Sequence, residues 1–462
     1  MKRWRTRTRS ACYASQRDDA LKASCHGIAN AIRSRSVIRP ACGALIVLFA
    51  IGAATAAAQR GDTTAAAAAI YRRYAAQVVR IEVVEQSSAA KSGVGSGFFV
   101  TAAGHIVTNY HVIASLVTDP DRYRAQITSS GKQPSPLHLV AIDVVHDLAV
   151  LTSSIHPPAF ISPAPVTISI GTRLYSLGHP LDLGLSVVEG TYNGLVDSTL
   201  YPKIHFTGAI NPGMSGGPVL TAFGALVGVN VSTEDDEVGF LVPADRARAL
   251  LTTVLAPDYR APTTFLPVVS RQLRDYQDTY LPQLFSDSTP SITLGPYAVP
   301  TRPGSFFRCW ADATDGRTTK FRRTDHRCST EDAVFISDEQ SSGLIAMHHE
   351  LLASTALGRV RFTNLVGAHL ADRGNATGGL EEDVTSYRCE TRNVRSNGLT
   401  FRATLCIRAY RKLDGFYDAR FVAVTLGGAS TALISSLNLT GVTFDNAERT
   451  TRGFLRRIRW AS

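Results

Sequence analysis

The chain is 462 residues long and 44% apolar, enough to bury at least two cores. Its formal net charge is +10, but residues 1–58 carry ten Lys/Arg against Asp18 and Asp19, so +8 of that excess sits there. The remainder is nearly neutral, and composition gives no ground for a nucleic-acid partner.

The basic stretch leads into Ala41–Ala58, ACGALIVLFAIGAATAAA, which carries no charge and closes on Ala56-Ala57-Ala58 ahead of Gln59 and Arg60. Positive, then apolar, then A-x-A is the order of a secretory signal peptide, and cleavage after Ala58 is the expectation. The positive region is about twice the usual length. Uncut, the apolar run is just long enough to span a bilayer, so residues 1–58 read as a signal peptide or an N-terminal membrane anchor. Both readings export the bulk of the protein, to the periplasm or as a secreted form. Membrane association follows only from the second.

Residues 59–69 are an Ala-rich spacer. Ala66–Val79 carries Ile70, Tyr74, Val78 and Val79 at helical spacing, and Val78–Val84 turns to β-branched residues and predicts a strand. From Gly95 short apolar runs alternate with turns: Gly97–Thr101, His105–Asn109, Tyr123–Ile127, Leu137–Asp143, Leu148–Ser153, Arg173–Leu177, Leu185–Leu195, Ile204–Thr207, Pro218–Leu220, Ala225–Ser232 and Gly239–Pro243. So many short strands predict a mainly β antiparallel barrel or sandwich. Asp245–Leu255 reads as its closing helix, and Pro257, Pro262 and Pro267 mark a linker over 256–268.

Residues 269–462 read as a separate α+β region, opening with a helix whose Leu273, Tyr276, Tyr280 and Leu284 share one face. Cys12, Cys25 and Cys42 lie in the segment expected to be lost on cleavage; Cys309, Cys328, Cys389 and Cys406 all fall in the last third. Four clustered cysteines in an exported chain predict two disulfides with three possible pairings, of which Cys309–Cys328 and Cys389–Cys406 is the simplest. Their spacings lack the C-x-x-C pairs of a zinc site. Two similar runs, from Arg308-Cys309 to Phe362-Thr363-Asn364 and from Arg388-Cys389 to Phe444-Asp445-Asn446, keep their order, which a duplication or chance would both produce.

Chemistry concentrates in Gly208–Leu220, GAINPGMSGGPVL, where Ser215 lies in a glycine-rich turn. Glycines leave backbone N–H groups uncovered, as a nucleophile beside an oxyanion site requires, although a plain turn also uses them. Gly95–Ala114, GSGFFVTAAGHIVTNYHVIA, delivers His111 at a strand end. Ala141–Leu151, AIDVVHDLAVL, puts Asp147 ahead of another strand, with Asp143 and His146 as rivals. His105, His179 and His205 have no partner spacing and read as structural. Nothing in the pattern calls for a metal or a cofactor.

The stretches GSGFFVT, TNYHVI, HDLAVL, YSLGHP, NPGMSGGPVL, LVGVNVS and VGFLVP together resemble, in order, the protease domain of the HtrA/Deg family of trypsin-like serine proteases. The resemblance spans residues 70–255 and implies a chymotrypsin-like double β-barrel, with chain order His111, Asp147, Ser215. It implies that Ser215 attacks the scissile carbonyl, that His111 is general base and then acid, and that Asp147 fixes the His111 tautomer. It implies an oxyanion hole from the N–H groups of Gly213 and Ser215. It also implies a first pocket walled by Ala209, Ile210, Val229, Asn230, Val231, Ser232 and Phe240. No Asp or Glu stands at the pocket base, so the expected substrate is a polypeptide cleaved after a medium-sized apolar residue. The glycine-hydrophobic loop of the family's peptide-binding PDZ domain is not recognisable in 269–462. That region reads as an inhibitory lid, a recruiting module or an envelope tether, and its last helix, Asp445–Trp460, carries five arginines. The competing reading is a catalytically silent envelope binding protein.

Overall fold

The computed structural model describes residues 65–461 apart from 129–132, 197, 236–237, 315–318, 355 and 372–380. The leader expected at 1–58 and the first part of the 59–69 spacer lie outside the described residues. Among the described residues no helix is long and apolar enough to cross a membrane.

Residues 65–74 form α1, with Ile70 and Tyr74 buried. It stops short of Val79 because Val78 and Val79 open a strand, where β-branched side chains pack well. The first barrel comprises β1 (Val78–Glu85), β2 (Lys91–Phe99), β3 (His105–Thr108), β4 (Tyr123–Thr128), β5 (Ser135–Asp143) and β6 (Leu148–Ser153). It closes in the order β1-β2-β3-β6-β5-β4. Helix α2 (Tyr110–Thr118) follows β3, where the sequence reading has only a strand end. Its burial at Tyr110, Val112, Ile113, Ala114 and Val117 is helical, a pattern hidden by the β-branched residues that fill it.

The second barrel comprises β7 (Arg173–Gly178), β8 (Ser186–Val196), β9 (Lys203–Phe206), β10 (Pro218–Thr221), β11 (Leu226–Asp235) and β12 (Val238–Pro243). It closes as β10-β11-β12-β9-β8-β7, and α3 (Ala244–Val254) ends it. Residues 255–265 form no regular element, yet Tyr259 donates to the Val140 carbonyl at 2.8 Å and ties this stretch to the first barrel.

Helix α4 (Leu266–Tyr280) opens the C-terminal region. Then come β13 (Ser291–Leu294), β14 (Tyr297–Pro300), β15 (Phe307–Ala313), β16 (Phe321–Thr330), β17 (Val334–Ser337), β18 (Gln340–Ser342) and β19 (Ile345–Ser354). After α5 (Arg359–Ala371) follow β20 (Arg388–Ser396), β21 (Leu399–Ala409), β22 (Phe416–Thr425), β23 (Thr431–Thr443), α6 (Phe444–Arg456) and β24 (Arg459–Trp460). The main sheet runs β15-β16-β19-β23-β22-β21-β20, whereas β17 and β18 pair only with each other. Strand alternation feeds both faces of that sheet. Leu351, Ala423 and Leu433 pack with Ala447 and Phe454 of α6, and their neighbours Leu352, Val424 and Ile434 with Phe362 of α5.

Disulfides join Cys309 to Cys328 and Cys389 to Cys406, the local pairing. Each links directly opposed residues of a hairpin, and the two hairpins form the two edges of the sheet. The later part of the suspected duplication does not map onto equivalent places: Ser354 ends β19, whereas Ser430 precedes β23. The arginine-rich end is partly engaged, Arg452 with Glu448 at 2.6 Å and Arg457 with the Thr289 carbonyl at 2.8 Å.

The two regions are not independent bodies. One continuous core contains Ile81, Ile106, Tyr110 and Val117 of the first barrel, Val269 and Leu273 of α4, and Val334 and Ile336 of β17.

Candidate active site

Three loops carry the expected chemistry. His111 is the second residue of α2, Asp147 lies in the turn between β5 and β6, and Ser215 lies in the loop between β9 and β10. The first barrel supplies His111 and Asp147, and the second supplies Ser215.

Asp147 adopts φ +55°, a left-handed conformation that aspartate tolerates better than most residues. Its backbone is fixed from the α2 side, with its carbonyl accepting from the Asn109 side-chain amide at 2.8 Å and from the Tyr110 N–H at 3.2 Å. The carboxylate then holds His111 twice. Oδ1 accepts the His111 backbone N–H at 2.8 Å, and Oδ2 accepts from the ring Nδ1 at 2.6 Å. That bond puts the ring proton on Nδ1 and leaves Nε2 as the basic atom. Burial, the largest single effect on the His111 pKa, depresses it. The charge and hydrogen bond of Asp147, with the charge of Asp338, outweigh burial and leave it raised above the ordinary value.

The rivals form a pair of their own. His146 Nδ1 donates to Asp143 Oδ2 at 2.7 Å, and its ring stacks edge-on against Tyr201.

Ser96, in the middle of β2, ties the Ser215 loop to the first barrel. Its N–H donates to the Ser215 carbonyl at 2.8 Å, its hydroxyl donates to the Gly213 carbonyl at 2.7 Å, and it accepts the His179 N–H at 2.9 Å. Gly95 next to it must lack a side chain: a Cβ there would stand 2.6 Å from Val112 Cγ2 and 3.1 Å from the Ser215 carbonyl oxygen. Val112, the residue after His111, and the Ser215 carbonyl thus close on the same side of one glycine. Gly213 has φ +94°, and a Cβ there would lie 2.4 Å from the His179 carbonyl oxygen. Among the described residues the N–H groups of Gly213 and Ser215 donate to no protein acceptor. Two uncommitted amides beside a serine are what an oxyanion requires. The Ser215 hydroxyl donates to the Val231 carbonyl at 3.3 Å and is not bonded to the imidazole.

The expected pocket residues divide. The Ile210 side chain packs against Gly239, its Cδ1 only 2.8 Å from where a Cβ would sit. Ala209 precedes it in the same loop, and the Val231 carbonyl faces Ser215. Val229 and Asn230 are both fully buried. Asn230 instead braces the serine loop from behind, accepting from Ser176 at 2.9 Å and donating to the Met214 carbonyl at 3.2 Å. Phe240 points to the other face of β12, against His205. The Ser232 side chain lies outside the described set.

Sequence reading passed over Ser96 and Thr108, whose hydroxyl donates to the Ser96 carbonyl at 2.7 Å, and placed Asn230 in the pocket wall rather than behind the serine loop. All three are polar and fully buried, a contrast that only the fold reveals. Of the histidines read as structural, His105 bonds Thr101 at 2.8 Å, while His179 sits against Gly213 and has a buried Nδ1 without a partner. Burial, with the charge of Arg80, pushes the His179 pKa down to about 4. Among the described residues one group, Cys309, His326 and Cys328, has the proximity of metal ligands, but its two sulfurs are joined to each other.

Residues 95–229 match the family model described as a trypsin-like peptidase domain. Protease Do-like 1, chloroplastic, of Arabidopsis thaliana is 33% identical over 170 residues, covering 33% of this chain and 37% of that protein. Serine protease HTRA2, mitochondrial, of Bos taurus is 29% identical over 167 residues, covering 34% and 35%. A probable periplasmic serine endoprotease DegP-like of Chlamydia trachomatis is 27% identical over 173 residues, covering 35% and 34%. The chain thus spans about a third of the length of these curated relatives. Among solved structures, that titled Deg5 aligns over 42% of this chain and 96% of its own, with 27% identity and a TM-score of 0.36.

Proposed function

From the premise that residues 95–229 are a trypsin-like peptidase domain of the HtrA/Deg kind, we propose that this protein is an exported serine endopeptidase acting on polypeptides. The observation that carries the reading is one constellation. An imidazole held by a carboxylate at 2.6 Å lies one residue before Val112, and Val112 and the carbonyl of a serine flanked by uncommitted amides both close on Gly95.

In this mechanism the Ser215 hydroxyl leaves the Val231 carbonyl by rotation about its Cα–Cβ bond and gives its proton to His111 Nε2 while attacking the scissile carbonyl. The Gly213 and Ser215 amides receive the oxyanion, each donor contributing on the order of 3 kcal/mol in comparable sites. His111 returns the proton to the leaving amine, and water then hydrolyses the acyl-enzyme. Asp147 stays ionised and stabilises the imidazolium. The apolar Ile210 side chain against Gly239, with no Asp or Glu at the expected pocket base, supports cleavage after a medium-sized apolar residue.

The Ser215–Val231 hydrogen bond also favours a second reading, a silent binding protein whose serine is parked. Fluorophosphonate labelling separates the two. The endopeptidase reading expects covalent label on the folded protein, lost in Ser215→Ala and in His111→Ala. Folded, disulfide-intact protein that takes no label leaves the silent reading.

A further inference from the structure

The hairpin β17–β18 belongs to the C-terminal region by sequence but lies outside its sheet and packs on the first barrel. Val334 and Ile336 are buried in the core shared with α2, and strand alternation turns Phe335 to the opposite face. There its ring meets His111 edge-on, with centroids 6.0 Å apart, and Tyr110 edge-on at 6.4 Å. The hairpin backbone is fixed from both regions. The Ile336 carbonyl accepts the Tyr110 hydroxyl at 3.0 Å, and the Ser341 carbonyl accepts the Tyr410 hydroxyl at 3.0 Å. Just ahead of the hairpin, Asp332 pairs with Lys203 of the second barrel at 2.7 Å. Beyond Phe335, a cavity of about 280 Å³ opens between Gly93, His111, Ser115 and Asp338.

We propose that this hairpin is part of the catalytic centre and that Phe335 is the positioning residue for the His111 imidazole. The inference rests on the endopeptidase reading. Asp147 bonds the imidazole at one edge only, through Nδ1, and leaves small tilts of the ring plane open. An aromatic edge against the ring closes that freedom and keeps Nε2 directed at Ser215. A ring out of line by an ångström costs about a hundredfold in rate without any loss of binding, because only the reacting geometry suffers. The C-terminal region therefore completes the site.

The test uses the full exported chain and a fluorophosphonate, with inactivation resolved into kinact and KI. For Phe335→Ala the expected result is a kinact lower by about 10- to 100-fold with KI within about threefold. Phe335→Leu, which keeps an apolar side chain in place, is expected to fall between it and wild type. The low-field proton NMR signal of the His111 Nδ1–H is expected to broaden or shift in Phe335→Ala. A folded Phe335→Ala protein with wild-type kinact and an unchanged low-field signal overturns the proposal. So does an equal loss in KI and kinact in both variants, which marks a merely structural role. If wild type itself takes no label, the endopeptidase reading falls, and the low-field signal alone then decides whether Phe335 holds the ring.

Discussion

Asp338 is exposed at the turn of β17–β18, yet its charge is one of the forces that raise the His111 pKa. Asp147 is the other carboxylate acting on that ring, and Glu339, Asp383, Arg122 and Lys412 border the same cavity. A general base works only when neutral, so a raised pKa moves the loss of activity on acidification to higher pH. Asp338→Asn is expected to shift the acid limb of the labelling-rate profile toward lower pH, with the plateau unchanged. His179 carries the opposite shift. Its folded pKa of about 4 lies below the unfolded value, so the unfolded chain binds the proton more readily. The stability it contributes is complete above the ordinary histidine pKa and is lost as pH falls through about 4. Replacing it, as in His179→Asn, is expected to flatten the fall of Tm over that acid range, measured by thermal scans at stepped pH. Residues of this kind were unequally legible. Ser215, His111 and Asp147 stand in short local patterns that can be read as they occur. Ser96 and Asn230 owe their roles to partners far along the chain, Gly213 for one and Ser176 for the other, and no local pattern announces them.

Among the elements, α4 shows how the halves are joined. Val269 and Leu273 are buried in the first barrel's core, while Gln272 accepts the Val144 N–H and donates to the Ile142 carbonyl, both at 2.8 Å. Leu273→Ala is expected to cost about 2–5 kcal/mol, as a buried Leu→Ala change does, read by chemical denaturation of the whole chain. The same helix was visible in the sequence through its 3.6-residue spacing as far as Tyr280, although Leu284, expected on the same face, lies beyond its end, and the barrel strands were visible through their short apolar runs. Helix α2 was not, since Val112, Ile113 and Val117 read equally well as strand, and only packing against β17 and the barrel decides the matter. The β17–β18 hairpin was invisible for a related reason. Val334 and Ile336 alternate as any strand does, and nothing local says which sheet they leave or which barrel they join.

At the level of the molecule, two cystine-bearing hairpins close the two edges of the seven-stranded sheet. Their loops span sequence separations of 19 and 17 residues, and loops of that size restrict the unfolded chain by about 3 kcal/mol each. Reduction under non-denaturing conditions is expected to lower the stability of the whole chain by up to that amount per bond, measured by denaturant titration with and without reductant. The class of each half followed from composition and pattern, mainly β and then α+β, as did the number of bonded cysteines. Their mutual packing did not follow, because a shared core is a property of two surfaces meeting. The seam between Val117 and Val334 carries a further consequence for how such proteins diversify. A recombination event that spliced the barrels onto some other module would leave a bare greasy strip beside the imidazole. Any replacement module would need an apolar face of its own to cover that strip.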